Sequence, residues 1–182
     1  MISEDANVSK TSLTPPSSES LKNKPISSSF FQKLGLVLFR FEDIGAVPYL
    51  ETTLPTLSPI GASEVINTAG VAYLCGLGQG DAYHTGLFGP VPVPGARILN
   101  ALLFSFFKND QSIQDTRAEH QAYLVLTIIF RKKERNKFLR VFGQINQQLS
   151  LFFTQFSSVE SLPPELLQTI VKIIDNLVFC KG

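Results

Sequence analysis

Cys75 and His84 are the one cysteine and histidine that lie close together in this sequence, and a thiol–imidazole pair is the only route to nucleophilic catalysis that it offers. Such a pair also needs a third group to orient the base, for which Asp81 is the nominal candidate. Against this, Cys75 ends an apolar helical pattern, where an inert packed thiol is the simpler reading. The chain has 2 histidines, His84 and His120, and no carboxylate at ligand spacing to them, so no catalytic zinc site is expected. Gly76-Leu77-Gly78-Gln79-Gly80 has the look of a phosphate-cradling loop. A dinucleotide fingerprint, however, follows a strand and opens a helix, whereas these glycines follow a helix and read as its stop. Asp110, Asp115 and Glu119 fall in a polar stretch and read as solvated. The residues therefore nominate no catalytic, cofactor-binding or metal-binding group, and the expectation is a protein that is not an enzyme.

One charge pattern resists a bland account. Arg131, Lys132, Lys133, Arg135 and Lys137 crowd the start of a helix, interrupted only by Glu134 and Asn136, with Arg140 one turn further on. Helix N-termini favour acids, and a badly placed cation costs about 0.3–1 kcal/mol there. These six residues form the candidate interaction surface, for an acidic protein or for anionic lipid headgroups, set against the alternative of a solvated strand–helix junction. The net charge of +1 argues against a general nucleic-acid binder, which carries a concentrated basic excess.

The elements that would position these residues follow from apolar spacing. Leu34 to Glu51 reads as an opening β-hairpin: its first strand is apolar on both faces, its tip is Glu42-Asp43-Ile44-Gly45, and Pro48 confines the second strand to an edge or itself to that strand's first residues. Ala62 to Cys75 repeats apolar residues at helical spacing. Tyr83 to Val93 is extended and interrupted by prolines, so it suits an edge or a loop exit. Ala96 to Lys108 reads as a strand, with a short helix running into a strand at Leu103–Phe107 as the alternative. Asn109 to Gln121 reads as a long loop, and Ala122 to Arg131 is dense in β-branched and aromatic residues. Phe138, Phe142, Ile145, Leu149, Phe152 and Phe156 predict one amphipathic helix over about Lys133 to Gln155. Pro163-Pro164 then open a last helix with a broad apolar face from Leu166 to Val178. The expected fold class is α+β, a five-stranded and mainly antiparallel sheet sandwiched by helices in the order β-β-α-β-β-β-α-α.

A chain of 182 residues suffices for one such domain, over residues 30–182. Residues 1–29, rich in Ser, Thr and Pro, lack the apolar groups to offset ordering entropy and are expected to be a disordered tail. Their acidic start, with no apolar run behind it, is not that of a signal peptide, and no apolar run approaches the roughly 20 residues of a membrane span. Cys75 and Cys180 form no CxxC spacing, so a reduced, cytoplasmic setting is the simpler reading beside a disulfide between them. The last two helices carry apolar residues off their main stripe, such as Val141, Leu151 and Phe153. This suits deep packing or, alternatively, a homodimer or hetero-complex interface.

The expected element order is that of longin domains and is close to roadblock and profilin-like arrangements. In local wording, LVLFRFEDIGAVPYLE and GLFGPVPVPGARILNALLFSFF resemble the opening hairpin and third strand of longin-like proteins from archaea related to eukaryotes. The resemblance spans about Leu34 to Phe179 and carries over no individual functional residue. It implies a non-enzymatic interaction scaffold in small-GTPase regulation or membrane trafficking, whose partner is a small GTPase or another longin- or roadblock-like chain. The competing expectation is an α+β domain that senses a small molecule.

Overall fold

The computed structural model describes residues 34–42, 45–51, 67–71, 85–113 and 120–180. The expected tail over residues 1–29, Cys75, the glycines of residues 76–80, Asp81, His84, Asp115 and Glu119 lie outside the described residues.

Strand β1 (Leu34–Glu42) is buried on both faces over its first six residues, as expected of a segment with apolar side chains at odd and even positions. It lies between β2 (Gly45–Glu51) and β5 (Gln121–Arg131), antiparallel to both. β2 is an edge strand, and its register slips where Leu38 faces Leu50 but Phe39 faces Pro48, leaving Tyr49 as the extra residue of a bulge. Pro48 thus sits where a missing N–H is tolerated. β5 pairs on its other side with β4 (Ala96–Asn109), and β4 with β3 (Gly86–Val93), giving an antiparallel sheet of order β2-β1-β5-β4-β3. Pro90 and Pro92 lie on β3, the other edge. β4 is strand from Ala96 onward, so the extended reading of this segment holds and its helical alternative does not.

One face of the sheet presents Leu36, Leu102, Phe104, Leu126, Ile128 and Phe130 to the helices that follow β5. The opposite face gathers Val37, Phe39, Leu99, Ala101 and Ile129 with Ala69. Ala69 belongs to α1, of which residues 67–71 are described.

The single helix expected from Lys133 to Gln155 is a correction: a 3₁₀ turn (Lys132–Glu134) leads into α2 (Arg135–Arg140), and α3 (Phe142–Phe153) begins after a break at Val141. The break turns the apolar stripe. Phe138 on α2 is buried and stacks on Phe130 with centroids 3.8 Å apart, while α3 buries Ile145, Leu149 and Phe153. A straight helix through Phe138 would bury Phe142 and Phe152 in place of Phe153, and both are only half-buried. With Phe153 turned inward, its ring stacks on Phe106 of β4 at 4.0 Å.

Pro163-Pro164 precede α4 (Leu166–Val178), which buries Leu166, Leu167, Ile170, Val171, Ile174 and Val178. The connection from α3 is tied to the end of β4. Lys108 Nζ donates to the Phe153 and Phe156 carbonyls, each at 2.6 Å, where α3 ends; the Phe153 carbonyl also accepts from the Phe156 N–H at 3.2 Å. Beside it, the Val159 N–H donates to the Asn109 carbonyl at 2.9 Å. Among the described residues, no helix is long and apolar enough to cross a membrane.

Candidate interaction surface

The candidate cations occupy a corner where the sheet hands over to the helices. Arg131 is the last residue of β5 and faces Leu99 across the ladder with β4. Lys132 and Lys133 form the 3₁₀ turn, and Arg135, Lys137 and Arg140 lie on α2. All six are exposed. The short 3₁₀ turn keeps Lys132 and Lys133 off the first turn of α2, so the clash with the helix dipole expected from the sequence falls mainly on Arg135.

The six cations do not share one state. Lys137 Nζ lies 2.8 Å from Glu134 Oε2 and 5.3 Å from the centre of the Phe179 ring, which ties it into the protein's own surface. Among the described residues, Arg131, Lys132, Lys133, Arg135 and Arg140 have no acidic group within ion-pair distance.

Two neighbours escaped the sequence reading. Arg97 and Ile98 are the two residues of β4 just before Leu99, which faces Arg131 at the end of the β4–β5 ladder, and β4 touches the 3₁₀ turn. Arg97 is exposed, and Ile98, at 63% exposure, is the most exposed large apolar residue among those described. The signal was present in the sequence as Ala96-Arg97-Ile98 after Pro94-Gly95. Only the strand register shows that it lies at the same end of the sheet as a basic segment more than thirty residues away.

The acids have a different place. Asp110, expected to be solvated, is 1% exposed and lies 2.9 Å from Arg40 Nη1. Its Oδ1 accepts hydrogen bonds from the Ser112 N–H and hydroxyl, and Arg40 Nη2 donates to the same hydroxyl at 3.0 Å. This is the correction to the reading of that loop: β4 and β5 run almost to its ends, and Asp110 closes it against β1. His120 takes φ 57° there, and its ring Nδ1 lies 2.8 Å from the Ile113 carbonyl oxygen. The acid is part of a structural lock that joins β1 to the loop after β4. Among the described residues, no three of His, Cys, Asp and Glu gather closely enough to hold a metal ion, and Cys180 is exposed with a free thiol. Compared with known proteins, the chain matches no family model, no curated protein and no solved structure.

Proposed function

We propose that this chain is a non-enzymatic, longin-like interaction scaffold, anchored through the cationic corner at Arg131–Arg140 and serving a small GTPase or a second longin- or roadblock-like chain. The observation that carries this reading is the set of exposed cations, Arg131, Lys132, Lys133, Arg135 and Arg140, for which the described residues supply no counter-charge. Like charges held side by side repel, so a cluster without its own anions is stabilised when another molecule brings them. The antiparallel order β2-β1-β5-β4-β3, with helical residues between β2 and β3 and further helices after β5, supports the longin comparison. The class of protein partner follows from that comparison and is an analogy of fold.

The test is capture of the full chain by immobilised small GTPases in GDP-bound, GTP-analogue-bound and nucleotide-free forms, with a longin-domain chain as a further bait. Nucleotide-dependent retention, or a stoichiometric complex with the longin chain, is the expected result. Retention by none of these baits at micromolar concentration overturns the reading.

A further inference from the structure

We infer that the cationic corner is a membrane-docking surface, in which Arg131, Lys132, Lys133 and Arg135 meet anionic phospholipid headgroups, assisted by Arg97 and an inserted Ile98 from the adjoining end of β4. The inference rests on the scaffold reading in taking the same corner as its anchor, and it names what supplies the anions.

Two independent observations converge on it. The first is charge: five exposed cations stand on β4, β5, the 3₁₀ turn and α2 at one end of the sheet, and Glu134, the acid within that run, already pairs with Lys137. The second is Ile98. Its side chain is 63% exposed, the highest value for a large apolar residue among those described, and it stands on β4 at the end of the sheet where Leu99 faces Arg131 and β4 touches the 3₁₀ turn. A membrane interface rewards both features at once, because phosphates lie at the depth of the cations and acyl chains lie just beneath them. An acidic protein would satisfy the cations but gives no reason for an exposed isoleucine at the adjoining end of β4. The rest of the corner is compatible with close approach to a flat surface: the β3–β4 turn at Pro94-Gly95 is short and exposed, and the corner holds no described acid free to repel a negative bilayer.

The affinity should follow the charges. Each Lys or Arg at an anionic surface contributes roughly fivefold in binding, equivalent to about 1 kcal/mol, and screening weakens this as salt rises. Cosedimentation of the full chain with phosphatidylcholine vesicles, with and without phosphatidylserine, is the experiment. Binding is expected only with phosphatidylserine, falling as sodium chloride is raised. The triple variant Lys132→Gln, Lys133→Gln, Arg135→Gln should lose on the order of a hundredfold. Ile98→Ser should weaken binding several-fold while leaving the salt dependence in place, which separates insertion from charge. All four positions are exposed, and thermal melting checks that each variant folds; Arg97→Gln, alone, should cost roughly fivefold and serves if the triple variant does not fold. The inference is overturned if phosphatidylserine vesicles do not bind at low salt. It is also overturned if the triple variant binds as the wild type does, or if polyglutamate binds and vesicles do not, which assigns the corner to an acidic protein. GTPase capture is read in solution without vesicles, so failure of one test leaves the other intact.

Discussion

Arg40 Nη1 lies 2.9 Å from Asp110 Oδ2, joining the end of β1 to the loop that leaves β4. The two partners are unequally buried: Asp110 is 1% exposed, whereas the Arg40 side chain keeps 20% of its surface in water. The contact is one of charge more than of an aligned hydrogen bond, because neither Arg40 Nε nor Asp110 Oδ2 meets hydrogen-bond geometry. Removing the arginine strands a carboxylate in the protein interior, which costs more than the pair itself contributes. Arg40→Met is therefore expected to lower unfolding free energy by about 3 kcal/mol, toward the smaller end of the range for buried pairs because the arginine is partly solvated. The double variant Arg40→Met, Asp110→Leu should lose clearly less than the sum of the single changes. Denaturant midpoints at constant m-value measure both; additive losses would mean that the two groups do not act as a pair.

Lys108 carries a pH signature. Burial pushes its ammonium below the usual lysine value of 10.5. Between that lowered value and 10.5 the folded chain binds fewer protons than the unfolded chain, so stability attributable to this group rises with pH across the window and is lost as pH falls through it. The neutral amine keeps two hydrogens, enough for the Phe153 and Phe156 carbonyls. Lys108→Met should cost about 2 kcal/mol at neutral pH by uncapping α3. The gap between wild type and variant should then widen as pH climbs toward 10.5. A gap that narrows instead would mean that hydrogen bonding to the charged form outweighs burial.

Much of this fold was legible in the residues, and the failures share a cause. Continuous β-branched and aromatic runs and period-3.6 apolar patterns are local, so β1, β5 and α4 could be read directly, and Pro48, Pro90 and Pro92 pointed toward edges because a missing N–H is local too. The break at Val141 was hidden because the helical pattern continues through it; what sets the break is the need to seat Phe138 on Phe130 and Phe153 on Phe106 together. Asp110 looked solvated because its neighbours are polar, while its partner Arg40 is on β1. Of the candidate surface, the run from Arg131 to Arg140 was visible as composition. Arg97 and Ile98 were not, since only the β4–β5 register places them at the same end of the sheet.

Two glycines should respond in opposite directions. Gly89 on β3 has φ +106°, and a Cβ there would lie 2.9 Å from the Ala101 carbonyl oxygen of β4, a backbone atom with no freedom to yield. Gly143, in the first turn of α3, is exposed and has nothing within 4 Å of a Cβ position. Gly89→Ala is expected to destabilise by about 1–3 kcal/mol through strain and overlap. Gly143→Ala should stabilise by about 0.5–1 kcal/mol, because alanine loses less backbone entropy in a helix. Thermal unfolding of the two variants beside the wild type checks both signs, and a stabilising Gly89→Ala would contradict the β3–β4 geometry.

Thr127 sits near the middle of β5, opposite Val37 on one side and Leu103 on the other, with no exposed surface. Its hydroxyl has no hydrogen-bond partner, so the group has given up water without replacement. Threonine and valine differ in shape only by that oxygen, and both are β-branched and suited to a strand. Exchanging a satisfied hydroxyl for a methyl destabilises a core, but exchanging an unsatisfied one removes a desolvation cost of about 1–3 kcal/mol. Thr127→Val should therefore raise stability by about 1 kcal/mol, or about 2–4 °C in Tm for a chain of this size. Thr127→Ala, which also removes the methyl and leaves a void, should lower it. The pair of variants separates the oxygen from the packing: a loss in Thr127→Val equal to that in Thr127→Ala would show that the hydroxyl is bonded in solution and holds the two neighbouring strands in place.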